Sequence, residues 1–296
     1  MEYSAPERRD YALRDGQISA LHFGRTSNPI KLVFCHANGF NALSYRAVLA
    51  PLGVHAVAID MRGHGFSKLP ADPDALESWT IFRDDIAEFI TRYVPNPAVL
   101  AGHSFGAVSA ILAAEKIGPR CTGFVGFDPV MVPQPFRAIS ASARGRAMMK
   151  KRIPIAAKAG RRRSEFASKA AAFENYKGRG AFKIIRGDIL KDYIEGGVIS
   201  TPSSVRLSCD PLWEQAIFVA QNQNAAKAAR HLPKHRKIIF AGKNSPTPFS
   251  MQARIRMRLG KDNVISSGKL AHLFPLQHPD LAVKTLADML KATALS

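Results

Sequence analysis

Val99-Leu100-Ala101-Gly102-His103-Ser104-Phe105-Gly106-Ala107-Val108 reads as a short apolar strand, a tight turn and the start of an Ala-rich helix. Gly102 and Gly106 stand two residues either side of Ser104, giving the pattern G-x-S-x-G. A turn this sharp between strand and helix strains the central residue and demands small residues at the flanking positions. The strain lifts the serine hydroxyl clear of the sheet and sets it at a helix N-terminus, where backbone N–H groups stabilise negative charge. Strand before and helix after are the context that separates a nucleophile turn from a chance match. Ser104 is therefore the candidate nucleophile.

Outward from this block, apolar runs of strand length recur at 30–35, 54–59, 98–101, 123–127, 237–241 and 264–266, mostly separated by stretches long enough for a helix. Such alternation predicts a largely parallel sheet. Continuous rather than alternating apolarity in Lys31-Leu32-Val33-Phe34-Cys35 and Val54-His55-Ala56-Val57-Ala58-Ile59 fits strands covered on both faces. Residues 11–13 and 17–23 flank the turn signal Arg14-Asp15-Gly16 and predict an antiparallel hairpin at the sheet edge. Helical patterns are expected at 45–52, 84–93, 105–117 and 280–290. The alternation stops after Pro129, and a helical, basic stretch follows. The expected organisation is an α/β core in residues 1–132 and 209–296, with a helical cap inserted over 133–208.

The 296 residues carry a formal charge of +19, distributed unevenly. Residues 137–186 hold fifteen Lys or Arg against Glu165 and Glu174, so this stretch alone supplies +13. A solvated face explains most charge runs, while attraction to an anionic substrate or an anionic membrane surface is the functional alternative. No nucleic acid is expected as a partner, because no recognition motif accompanies the charge. Cys35, Cys121 and Cys209 are odd in number and lack C-x-x-C spacing, which argues against a disulfide framework and a zinc site. The first ten residues lack the apolar core of a signal peptide, and nowhere do eighteen apolar residues run together, so a cytoplasmic protein is expected.

A serine hydroxyl needs a base. Of the nine histidines, His22 and His55 lie in strand patterns and His231 and His235 in a basic surface stretch. His272 lies in Gly268-Lys269-Leu270-Ala271-His272-Leu273-Phe274-Pro275, a loop after the last expected strand. In an open α/β sheet such loops present functional groups. His278, beside Pro279 at a helix start, reads as structural.

Three further blocks complete a pattern: Phe34-Cys35-His36-Ala37-Asn38-Gly39-Phe40, Ile59-Asp60-Met61-Arg62-Gly63-His64-Gly65-Phe66-Ser67 and His272-Leu273-Phe274-Pro275-Leu276. With the serine turn they resemble the α/β-hydrolase superfamily, in its branch of capped esterases, lactonases, haloalkane dehalogenases and epoxide hydrolases. The resemblance spans nearly the whole chain. It implies an oxyanion hole from the backbone N–H groups of Asn38 and Phe105, with the Asn38 side chain as a further donor. It also implies that His36, Asp60, Arg62 and His64 shape loops and turns. In most relatives the acid follows the penultimate strand, where this chain has Ala241-Gly242-Lys243-Asn244-Ser245 and no carboxylate. A minority place it after the strand that follows the serine helix, where Phe127-Asp128-Pro129 stands.

Asp128 keeps the order serine, acid, histidine, but could also be a turn residue before Pro129. Asp210, which resembles a helix N-cap, and Asp188 are the other candidates, and a dyad without an acid stays open. The resulting expectation is a serine hydrolase acting on a small-molecule carboxylic ester or lactone, with thioester or C–C bond hydrolysis open within the same triad. No cofactor or metal is needed. The alternative is a non-catalytic ligand receptor on this fold, or an anionic-lipid surface binder using the basic cap. Phe166, Phe173, Phe182 and Tyr193 of the cap are expected to pack against the core, with some facing a substrate pocket.

Overall fold

The computed structural model describes residues 5–295. Among them the strands are β1 (Glu7–Leu13), β2 (Gly16–Phe23), β3 (Leu32–Cys35), β4 (Ala56–Ile59), β5 (Ala98–His103), β6 (Cys121–Phe127), β7 (Glu165–Phe166), β8 (Val198–Ser200), β9 (Val205–Leu207), β10 (His235–Phe240) and β11 (Val264–Ser266). Eight of them form one sheet in the order β1-β2-β4-β3-β5-β6-β10-β11. From β4 to β11 all neighbours are parallel, and the β1–β2 hairpin adds antiparallel to β4 at the edge. The chain is an α/β fold with a mostly parallel sheet flanked by helices.

The unbroken apolar strands follow from burial on both faces. Val33, Cys35, Val57, Ile59, Leu100 and Phe124 pack into one layer with the helices Thr80–Tyr93 and Phe105–Ile117. Their neighbours Leu32, Phe34, Ala56, Ala58, Val99, Ala101 and Val125 pack into the other, beneath the helix Pro279–Ala294. Successive side chains in a strand point to opposite faces, so a strand with two buried faces loses the usual polar alternation.

The segment expected as a helical cap holds the helices Gln134–Ser140, Ala143–Arg152, Pro154–Ala159, Lys169–Tyr176 and Gly187–Gly197. It also holds a small antiparallel sheet, β7-β9-β8, which the sequence pattern does not reveal. Its strands are two or three residues long, too short for a period to show. The β8–β9 turn is closed by Thr201 N–H to Ser204 O, 2.9 Å, and by Ser204 N–H to Thr201 Oγ1, 3.0 Å.

Aromatic rings join this segment to the rest of the chain. Phe40 lies 5.9 Å from the Phe182 ring and 5.5 Å, edge-on, from Tyr193, and Tyr176 closes the cluster at 5.4 Å from Phe182. The Arg161-Arg162-Arg163 run splits by environment. Arg161 is exposed, whereas Arg162 lies within this seam. Arg162 Nη1 meets Glu214 Oε2 at 2.8 Å, Nε donates to the Tyr176 hydroxyl at 3.0 Å, and Nη2 donates to the Tyr193 hydroxyl. The Arg162 and Glu214 side chains keep only 18% and 10% of their exposure, so losing one leaves a largely buried charge without a partner. Arg162→Ala is expected to lower unfolding stability in urea by about 3 kcal/mol. The neighbouring Arg161→Ala should change it by less than about 0.5 kcal/mol, and equal effects of the two would contradict this placement.

Candidate active site

Ser104 sits between β5 and the helix Phe105–Ile117 with φ 57° and ψ −120°. A non-glycine residue at positive φ costs about 1–3 kcal/mol and persists only when its surroundings over-determine it. Here Ser104 N–H donates to Phe127 O at 2.8 Å, and close packing fixes the rest of the turn. A Cβ at Gly106 would lie 2.3 Å from the carbonyl oxygens of Cys35 and His36, and one at Gly102 would lie 2.7 Å from backbone of Gly106 and Ala107. Both glycines are required by close approach rather than by their own dihedrals.

Asp128 leaves the end of β6 with φ 43°, and it and Ser104 are the non-glycine residues at positive φ among those described. His103 pairs with Phe127 in the β5–β6 register, so the two strained residues emerge side by side. Asp128 N–H donates to Ile239 O at 2.7 Å, and its Oδ1 accepts Ala241 N–H at 3.1 Å. The carboxylate is fully buried.

His272 comes from the loop between β11 and the helix Phe274–Gln277 and lies between these two residues. Its Nδ1 is 2.6 Å from Asp128 Oδ2 and its Nε2 is 2.9 Å from Ser104 Oγ. A carboxylate only accepts, so Nδ1 carries the proton and Nε2 presents its lone pair to the serine hydroxyl. The structure thus brings together the three residues picked out by sequence. Asp210 is elsewhere employed, accepting Leu212 N–H at 2.7 Å as an N-cap, and Asp188 pairs with Arg186 on the surface.

The loop after β3 carries Asn38. Its side-chain Nδ2 donates one of its two hydrogens to Glu214 O at 3.0 Å, which fixes the orientation of the amide. The backbone N–H groups of Asn38 and Phe105 have no acceptor among the described residues. Two neutral histidines hold this loop to the turn after β4. His36 donates from Nδ1 to Ala37 O at 2.8 Å and accepts Met61 N–H on Nε2 at 2.9 Å. His64 donates from Nδ1 to Arg62 O and accepts Gly39 N–H on Nε2, both at 3.0 Å. Asp60 completes the turn by accepting Ala42 N–H at 2.8 Å and Phe66 N–H at 3.0 Å.

His103 and Tyr45 are structural partners that sequence reasoning missed. His103 Nε2–H donates to the carbonyl of His272 at 2.8 Å, and its Nδ1 accepts the Tyr45 hydroxyl proton at 2.7 Å. Tyr45 oxygen in turn accepts Ala37 N–H at 3.2 Å. This chain links the loop of Asn38 to the backbone of His272. No spacing could reveal it, because its members are 58 and 169 residues apart.

Burial pushes His36 down to about 4, and His64 and His103 down to about 3, with the neighbouring imidazoles His36 and His272 depressing the latter two further. In the unfolded chain these groups titrate near 6.5. Below that pH the unfolded state binds more protons, so their contribution is complete above about pH 6.5 and is lost as pH falls towards 4 and then 3. His22, lowered to about 4 mainly by burial, adds to the effect. Asp192, raised to about 6 by burial, opposes it, as does the raised Asp85. The thermal midpoint is therefore expected to fall between pH 6.5 and pH 5, a range in which ordinary carboxylates stay ionised. A midpoint that is flat or rising over that range would contradict neutral, hydrogen-bonded imidazoles.

Among the described residues no three His, Cys, Asp or Glu side chains cluster as a metal site, and no helix is long and apolar enough to cross a membrane. Protein phosphatase methylesterase 1 of Mus musculus is 32% identical over 106 residues, covering 33% of this chain and 27% of that protein. Esterase Rv0045c of Mycobacterium tuberculosis is 31% identical over 99 residues, 33% of this chain and 32% of its own length. The chain thus spans about a third of the length of these curated relatives. The crystal structure of E-2-(acetamidomethylene)succinate hydrolase is similar in fold, with TM-score 0.76 and 19% identity over 97% of this chain and 99% of that one. The family model described as "Alpha/beta hydrolase family" matches residues 32–285, and the chain belongs to that family.

Proposed function

We propose that the protein is a serine hydrolase that cleaves a small-molecule carboxylic ester or lactone through an acyl-enzyme on Ser104. The observation that carries this is the 2.9 Å approach of Ser104 Oγ to His272 Nε2, with Asp128 2.6 Å behind the same ring. As Ser104 Oγ attacks the substrate carbonyl, His272 Nε2 takes its proton. Asp128 keeps the imidazole in the Nδ1–H tautomer and stabilises the imidazolium that forms. The carbonyl oxygen, now negative, accepts the N–H groups of Asn38 and Phe105, each worth on the order of 3 kcal/mol of barrier when aimed at that charge. The imidazolium returns its proton to the leaving alkoxide. A water, deprotonated by His272, then attacks the acyl group and frees Ser104.

Membership of the family and likeness to a methylesterase and an esterase support ester hydrolysis as the reaction class. In this proposal residues 133–208 form a cap over a core made of 1–132 and 209–296. The aromatic cluster of Phe40, Tyr176, Phe182 and Tyr193 then closes the side of the site next to the Asn38 loop and limits water entry. The basic residues of the cap are partly committed to ion pairs, Arg162 with Glu214 and Lys150 with Asp74, which leaves fewer of them to meet an anionic substrate or surface.

Short p-nitrophenyl esters test the proposal. Ser104→Ala is expected to lower kcat by at least about a thousandfold, and activity equal to wild type would overturn the proposed nucleophile. Asp128→Asn should lower kcat by about 10³–10⁴-fold, while Asp210→Asn changes it less than about twofold. The reverse ranking would move the acid to Asp210.

A further inference from the structure

A cleft of about 540 Å³ is lined by three chain segments distant in sequence: 130–137, 223–230 and 250–258. None of Ser104, Asp128 and His272 lines it. Five cationic side chains do, namely Arg137, Lys227, Arg230, Arg254 and Arg258, and no Asp or Glu accompanies them. Arg137 donates one hydrogen bond, to Asn222 O at 3.3 Å. The other four charged heads have no hydrogen-bond or ion-pair partner among the described residues. The chain has 42 Lys and Arg against 23 Asp and Glu, so many of its cations lack an acid, and here five of them converge on one concavity.

The walls are fixed rather than loose. Thr247 Oγ1 donates to Pro129 O at 2.6 Å and accepts Met131 N–H at 2.8 Å, tying the exit of β6 to the rim. Gln252 Nε2 donates to Gly242 O at 2.8 Å and to Thr247 O at 2.7 Å, anchoring the helix Phe249–Leu259. Arg254 and Arg258 lie four residues apart on that helix and so project from one face. Val130, Met131 and Ile255 give the cleft an apolar floor.

Like charges gathered round one concavity repel each other, and an anion placed between them relieves that repulsion with charge-assisted hydrogen bonds. Guanidinium groups match phosphate oxygens in pairs, and five cations exceed what one carboxylate calls for. The volume is that of a small-molecule site, and the apolar floor suits a ligand with an uncharged body. We propose that this cleft binds an organic polyphosphate, a di- or triphosphate ester carrying an apolar or aromatic group, at a site separate from the serine.

Calorimetric titration of the full chain with ADP and with inorganic pyrophosphate, at 150 mM NaCl, tests this. One saturable site with a Kd below about 1 mM is expected for both probes. Arg254→Gln/Arg258→Gln should weaken both by at least tenfold, while the exposed pair Lys151→Gln/Arg152→Gln, outside the cleft, should leave them within twofold. Ser104→Ala should bind as wild type does, which separates this site from the proposed hydrolysis. Absence of saturable binding, equal weakening by the two double variants, or binding of pyrophosphate without ADP would overturn the proposal.

Discussion

Two strained backbone positions at the ends of neighbouring strands are the constraint on which the rest of the site depends. Ser104 and Asp128 both hold positive φ, at 57° and 43°, and the β5–β6 register sets them next to each other. Each costs about 1–3 kcal/mol locally, so the surrounding packing must fix them. Phe127 O accepts the Ser104 N–H, Ile239 O accepts the Asp128 N–H, and carbonyls of Cys35 and His36 crowd against Gly106. The central strands therefore do more than bury apolar surface. Their hydrogen-bonded ends aim a hydroxyl and a carboxylate at the same imidazole.

The second layer of the site is built from groups whose charge is suppressed. His36 and His64 each offer one ring nitrogen as donor and the other as acceptor to backbone, and so pin the Asn38 loop to the turn after β4. His103 does the same between Tyr45 and the carbonyl of His272. A protonated ring would lose its acceptor role at every one of these contacts. Burial that keeps them neutral is thus part of the positioning, and it couples the geometry of the site to pH.

Much of the core was legible in sequence because its signals are local. The G-x-S-x-G turn, unbroken apolar strands and the Arg14-Asp15-Gly16 hairpin each depend on residues close in the chain. His272 followed from its place after the last strand. Asp128 is implied by the resemblance to family members that place the acid after the strand following the serine helix, given no carboxylate near Ser245, and the structure adds what sequence cannot supply, a 2.6 Å bond across 144 residues. The Tyr45–His103–His272 chain and the Arg162–Glu214 pair were not legible, since each joins distant segments by single side chains. Arg162 in particular sits in a run of three arginines whose composition suggests solvent for all of them. The β7-β9-β8 sheet escaped because strands of two or three residues carry no period.

The central claim is that Ser104 becomes covalently acylated with His272 as its base. Intact-protein mass spectrometry after brief exposure to a fluorophosphonate, followed by peptide mapping, tests it most directly. One adduct on the peptide holding Ser104 is expected, formed at least about a hundredfold more slowly in His272→Ala and absent from Ser104→Ala. Adduct formation at another residue, or labelling of Ser104 at an unchanged rate without His272, would contradict the account.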